Sequence, residues 1–228
     1  MNWESEGFLL SKKKFRENAN IINVFTDKYG KMGGIVYGAN SRKIRNYLQI
    51  SNKIFTFYNS KSENKIGYFK TELIQPISPK YFNDKKRTSA LLSLTSILNI
   101  LLPESQPYKQ LYKSVEEFIN NLDSKKWPYL YLFWELLLIK ELGFDQNLEK
   151  YNSDLHKKNI IDIKIDSIKY KVPYFIVDKS LPDEIDEKLI RSGLNFTRNV
   201  LVNKFFSPNN LNFPRSRILL ENSFICFF

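Results

Sequence analysis

The chain has 228 residues, with 35 Lys and Arg against 24 Asp and Glu, a formal net charge of +11 and 43% hydrophobic residues. That apolar content is far above what a disordered chain shows, and one cysteine, Cys226, excludes an internal disulfide framework and any multi-cysteine zinc site. The longest apolar run, Tyr129 to Ile139, is too short to span a bilayer, and Glu4 and Glu6 interrupt any leader pattern, so the expectation is a soluble, cytoplasmic protein with no membrane partner.

In chain order, Glu6 to Leu10 reads as a first strand, followed by a basic loop from Ser11 to Arg16. A second strand runs from Ile21 to Thr26, a tight turn spans Asp27 to Gly30, and a third strand covers Gly33 to Tyr37. A second basic loop, Gly38 to Arg45, comes next. Ile54 to Tyr58 alternates cleanly, Ser60 to Asn64 is a polar hairpin connection, and Gly67 to Ile74 supplies a fifth strand. Five short strands bounded by Gly, Asn, Asp and Ser predict a small Greek-key barrel of the OB type. Pro76 and Pro79 end it, which sets a first domain at residues 1–78.

Beyond it the apolar period changes from two to about 3.6. Asn83 or Asp84 can cap a helix from about Lys86 to Leu102, closed by Pro103, with Leu91, Leu94, Thr95, Leu98 and Leu101 on one face. A second helix spans about Tyr108 to Leu122, with Leu111, Val115, Phe118 and Ile119 inward. Pro128 suits the first turn of a third helix and Gly143 its end. That helix is apolar around most of its circumference and is expected at the centre of a helical domain. From Ile160 to Ile176 alternation returns, with Asp166 and Ser167 as a tight turn, and helices follow at about Asp183 to Arg191 and Asn195 to Phe206. The fold class is α+β: an N-terminal OB-fold β-barrel, then a mostly α-helical domain over 79–228 with a small β-hairpin insert.

The charge is unevenly spread. Residues 1–78 hold 13 Lys and Arg against 6 Asp and Glu, more than half of the net excess in a third of the chain. An AT-rich genome inflates Lys, Asn and Ile counts throughout a chain, and a merely solvated surface would look similar. The clustering still favours a polyanionic partner. Lys12, Lys13, Lys14 and Arg16 form one group, Arg42, Lys43 and Arg45 another, and Lys31 follows the first tight turn. All are candidates for neutralising phosphates. Phe15, Tyr37, Tyr47 and Tyr58 could offer faces for stacking bases. A catalytic apparatus is not visible. No Gly-rich phosphate loop occurs, the one histidine, His156, sits in a polar Lys-rich stretch, and Cys226 has no histidine near it in sequence, so the expectation is a binding protein that needs no cofactor.

Several motifs carry a resemblance. Trp3 with Glu6-Gly7, Val24-Phe25-Thr26 with Gly30, and Gly38-Ala39 with Ser41-Arg42 are similar to the N-terminal domain of the DNA repair protein RecO family. Further on, Leu102-Pro103-Glu104 with Pro107 and Leu111-Tyr112 resembles the same family. So do Trp127-Pro128 with Tyr131, Trp134-Glu135-Leu136 and Leu138, then Glu141 to Phe144, and a closing Phe213 to Arg217. The matches run in family order over nearly the whole chain.

The resemblance implies a mediator of the RecFOR pathway of DNA damage repair, associated with the nucleoid. It implies a barrel that binds single- and double-stranded DNA and anneals complementary strands, with RecR and the acidic, Phe-ended C-terminal tail of single-strand-binding protein as protein partners. RecA, helped onto DNA coated by that protein, is implied as an indirect partner, and the pathway leaves RecF open as another. Many members hold structural zinc with four cysteines in the segment corresponding to Tyr151 to Val172. Here that segment, part of 151–176, has none, Tyr151 stands where the first is expected, and no metal site is expected. Many members also carry a basic residue just before the aromatic-Glu-Leu motif. This chain has Phe133 there, so a cation for the tail would come from elsewhere, with Lys109, Lys113 and Lys140 as candidates. From barrel and charge alone, a generic OB-fold module for DNA or RNA stays open.

Overall fold

The computed structural model describes residues 1–62, 65–145, 147–151 and 159–224. Part of the polar connection expected at Ser60 to Asn64, together with His156 and Cys226, lies outside the described residues. The chain forms two compact units, one of residues 1–113 with 214–217, the other of residues 114–213 with 218–228.

The first unit is built on a closed barrel in the order β1-β2-β3-β5-β4, with β1 at Asn2–Arg16, β2 at Ala19–Thr26, β3 at Gly30–Tyr37, β4 at Lys53–Asn59 and β5 at Gly67–Gln75. All neighbours are antiparallel except β3 and β5, whose parallel pairing of Gly34 with Gly67 and Ile35 with Tyr68 closes the sheet. This is the OB topology. Side chains alternate across the wall, as strand geometry requires. Trp3, Leu9, Ile22, Val24, Met32, Val36, Ile54, Tyr58 and Phe69 fill the interior.

Both groups expected as basic loops are regular structure instead. β1 runs for 15 residues, and Lys12, Lys13, Lys14 and Arg16 pair with Ile22, Ile21, Asn20 and Ala19 of β2. Alternation fails there because the basic side chains stay exposed on both faces of the ribbon, so strand pairing rests on backbone hydrogen bonds that hydropathy does not report. Register shifts between Leu9 and Ser11 and between Lys14 and Arg16 break the pattern further. The second group forms a short helix, α1 at Arg42–Tyr47, whose N-cap Ser41 accepts a hydrogen bond from the Ile44 amide.

After a 3₁₀ turn at Ser78–Tyr81 comes α2 at Lys85–Leu101, capped by Asp84 as its sequence suggests. Asn99 at its last turn joins two strands. Its side-chain oxygen accepts from Asn23 Nδ2 at 2.7 Å and its carbonyl from Lys31 Nζ at 2.9 Å. The next residues continue along β3, with a parallel bridge between Lys31 and Glu104 and a bond from the Ser105 amide to the Lys31 carbonyl. The end of α2 is thereby tied to β2 and β3, and this segment pairs along the edge of β3. The helix α3 at Lys109–Asn120 begins in this unit, where Tyr112 packs on Phe8 and Phe25.

In the second unit α4 at Trp127–Glu141 carries Trp127, Tyr129, Tyr131, Leu132, Trp134, Leu138 and Ile139 buried, as its apolar circumference predicts. Gly143, with φ +93°, ends it. β6 at Ile160–Ile165 and β7 at Ile168–Pro173 make the expected hairpin, with Asp166 and Ser167 both in the left-handed region. A single turn, α5 at Tyr174–Val177, follows. The two late helices expected from sequence are one: α6 at Glu187–Leu201, continued by a π-helical turn at Val202–Phe206. Gly193 does not break it. The glycine is a point of close packing, since a Cβ there would lie 2.8 Å from Leu132. The last helix is α7 at Arg215–Asn222, which the periodicity did not reveal.

Barrel closure leaves no space at two glycines. A Cβ on Gly34 would lie 2.6 Å from the Phe69 ring, and one on Gly67 2.4 Å from the Tyr58 ring, whose hydroxyl accepts the Gly67 amide. Gly34→Ala and Gly67→Ala are each expected to cost roughly 1–3 kcal/mol by overpacking, measurable as a lower midpoint in chemical denaturation; an unchanged midpoint would refute the closure account.

Candidate nucleic-acid interface

The barrel topology brings the two basic groups, separate in sequence, to one end of the barrel. Three hydrogen bonds hold them. Lys12 Nζ donates to the Leu48 carbonyl at the C-terminus of α1 at 2.7 Å. The Gly38 amide bonds the Asn18 carbonyl at 2.8 Å, and Asn40 Nδ2 bonds the Glu17 carbonyl. The tip of the β1–β2 ribbon and the start of α1 are thereby fixed to each other. Lys13, Lys14, Arg16, Arg42, Lys43 and Arg45 are all exposed at this end, and Lys12 is exposed along its stem while its ammonium is tethered.

Burial pushes the Lys12 ammonium below its ordinary pKa. Lys31 behaves differently from the others. It is 8% exposed, spends its ammonium on Asn99, and has its pKa lowered by burial, with the Glu104 carboxylate opposing that shift. Its geometry is that of an internal tie between β3 and α2. Among the stacking candidates, Phe15 and Tyr37 are exposed, and Arg16 lies over the Phe15 ring at 5.2 Å. Tyr58 is buried against Trp3, and the Tyr47 hydroxyl donates to the Thr71 carbonyl.

A second feature lies within the other unit. A cavity of about 640 Å³ is lined by Phe133, Trp134, Leu137, Phe144, Ile176 and Leu181, with Lys140 and Lys179 among its polar groups and Glu117 and Asp145 also present. Trp134 is buried, and its indole N–H has no partner among the described residues. Of the three lysines expected to serve a partner, Lys140 lines the cavity; Lys109 and Lys113, exposed one turn apart on α3, do not. Lys179, in the left-handed region just after α5, is a residue the sequence pattern gave no reason to choose.

The segment expected to replace a zinc site offers no cysteine, and the described part is held otherwise. Ile161, Ile163, Ile165, Tyr170 and Val172 are buried, and Tyr151 donates its hydroxyl to the Lys164 carbonyl at 2.7 Å. No group of three potential metal ligands occurs among the described residues. This chemistry does not fit a tetrahedral zinc site.

A basic OB-type barrel joined to a helical region defines a nucleic-acid-binding class of protein. Comparison with known families narrows it. The recombination protein O N-terminal family model matches residues 1–77 and the recombination protein O C-terminal model residues 83–152. DNA repair protein RecO of Wolbachia pipientis wMel is 30% identical over 239 aligned residues, covering 96% of this chain and 99% of that one. DNA repair protein RecO of Roseobacter denitrificans is 33% identical over 150 residues, covering 65% and 62%. The chain belongs to the RecO family of DNA repair proteins. Among the described residues no helix is long and apolar enough to cross a membrane.

Lys31→Met, which orphans the Asn99 carbonyl, is expected to lower stability by about 1–3 kcal/mol while leaving the salt dependence of DNA binding unchanged; a shallower salt slope with unchanged stability would mean that Lys31 meets phosphate after all. Protein purified without added metal is expected to give far less than one zinc per chain by elemental analysis, and a stoichiometric value would show that the segment from Tyr151 to Val172 binds metal in another way.

Proposed function

We propose that this chain is a recombination mediator: its barrel holds single- and double-stranded DNA and anneals complementary strands, and its helical region docks partner proteins. The observation that carries the DNA reading is the convergence of Lys13, Lys14, Arg16, Arg42 and Lys43 at one end of the barrel. Two phosphate backbones repel each other, and a basic surface that holds both lowers that repulsion without reading bases. The domain division at residue 78, with DNA on the first part and proteins on the second, is part of the same proposal.

For the protein partners, the cavity of the second unit supports docking of the single-strand-binding protein tail. Phe133, Trp134 and Leu137 supply apolar walls for a terminal aromatic residue, and Lys140 and Lys179 supply cations for its carboxylate. In place of a cation at Phe133, the cavity is lined by Lys140 on the same helix, 4.0 Å from Asp145, and by Lys179, distant in sequence. RecR binding and help to RecA complete the reading, with RecF as a further candidate of the same pathway.

The test uses one purified variant with Arg42, Lys43 and Arg45 replaced by Ala. Anisotropy with labelled single-stranded DNA should show weaker binding, slower annealing, and a log–log salt slope shallower by roughly 0.7 for each phosphate no longer neutralised. Binding of a labelled acidic, Phe-ended peptide should stay nearly unchanged, whereas Lys140→Ala should give the reverse pattern. A flat salt response of the unaltered protein would sink the electrostatic account. Equal losses for DNA and peptide would argue for one shared surface.

A further inference from the structure

We propose that a shallow groove on the outer wall of β1, β4 and β5 is a stacking subsite for an unpaired nucleobase, used for single strands and not for duplex. The inference rests on the DNA-binding reading above and adds to it a second site on the same barrel, distinct from the basic ribbon and α1. In an OB-fold the face of strands 2 and 3 ordinarily takes the oligonucleotide. Here the end of α2 is bonded to the side chains of Asn23 and Lys31 on those strands. The wall around Phe57 and Tyr68 stands open to solvent.

That wall is unusual in composition for a solvent-facing surface. Phe57 and Tyr68 are 39% and 38% exposed, and Phe55 meets Phe57 edge-on at 4.9 Å. Their register explains why they gather. Phe57 pairs with Lys70 across β4–β5 and with Glu4 across β1–β4, while Tyr68 pairs with Asn59. The groove between them has a volume of about 430 Å³ and is lined by Trp3, Glu4, Phe57, Asn59, Tyr68 and Lys70 among others.

Two observations identify the occupant. First, exposed aromatic rings beside a lysine match a base stacked on a ring with its phosphate on the ammonium. Second, Asn59 and Glu4 line the same groove and bring an amide and a carboxylate, groups that pair with base edges. Glu4 disfavours a phosphate at its own position, and Glu6 is neutralised by Lys53 at 2.8 Å. The wall therefore suits a base more than a backbone, with Lys70 as its cation. Bases in a duplex are stacked on each other and cannot enter.

The experiment compares the full chain with its Phe57→Ala and Tyr68→Ala variants and the double variant. Probes are a fluorescein-labelled oligothymidine and a labelled duplex of the same length, titrated at several salt concentrations. Removal of one or both rings should weaken single-strand binding roughly 5- to 100-fold, in line with the usual worth of a base–aromatic stack. Duplex affinity and the salt slope on both probes should stay unchanged. Phe57→Leu, which keeps apolar bulk without a ring, should behave like Phe57→Ala, so a loss cannot be assigned to misfolding. Salt-dependent binding of the unaltered protein with no effect of the variants would overturn the subsite alone and turn attention to a protein partner for this wall. Equal losses on single strand and duplex would also overturn it. If the unaltered protein bound neither probe, the DNA-binding reading itself would fall.

Discussion

Closure of the barrel is the constraint on which everything else depends. It rests on a short parallel pairing between β3 and β5, where Gly34 faces Gly67. Rings of Phe69 and Tyr58 occupy the space that side chains would need, so the two strands approach only because neither glycine has one. Once the sheet closes, each residue is committed to the inside or the outside. Trp3, Tyr58 and Phe69 go in and stack, with Trp3 and Tyr58 centroids 4.8 Å apart; Phe57, Tyr68 and Lys70 go out. The β3–β5 pairing spans only Gly34 and Ile35, and the start of β3 is paired instead by the Glu104–Ser105 segment at Lys31.

The same closure sets the electrostatics. Charges scattered between Lys12 and Arg45 in sequence become one patch because the β1–β2 ribbon and the start of α1 leave the barrel at the same end. The Lys12 bond to the Leu48 carbonyl uses one cation to hold the others in place, at the cost of partly desolvating it. Lys31 shows the opposite use of a lysine. A long stem buried between strand and helix places an ammonium where two backbone segments need a donor. Basic residues of one composition thus divide into surface and scaffold according to the carbonyls within reach.

The helical unit follows another logic. An almost wholly apolar α4 has too much surface for one neighbour to cover, and α3, α5 and α6 each take a share: Phe118 meets Tyr131, Phe175 meets Tyr129, and Gly193 admits Leu132. Within α4 the buried Glu135 accepts from the Tyr131 and Thr197 hydroxyls, which satisfies a carboxylate that burial would otherwise penalise. Part of the helix surface stays uncovered, and there the cavity opens with Trp134 and Phe133 in its wall. The β6–β7 hairpin is held by a buried apolar row and by the Tyr151 hydroxyl on the Lys164 carbonyl.

By itself the sequence determined the local elements whose signal is a period or a cap. The five strands, the Asp84 cap of α2, the apolar α4 and the Asp166–Ser167 turn are legible because hydrogen bonding and burial act there on neighbouring residues. The motifs from Trp3 to Arg217 also made the family legible. Elements without a buried face were not: the Lys-rich end of β1 and the short α1 read as loops, since the partner that explains each lies away from it in the chain, and α6 with its continuation read as two helices with a gap at 192–194. Which lysines face solvent, that Lys179 joins Lys140 at one cavity, and that the end of α2 is tied to Asn23 while Phe57 and Tyr68 stand exposed, were decided by tertiary structure alone. Such facts depend on packing between residues tens of positions apart, and no local pattern carries them.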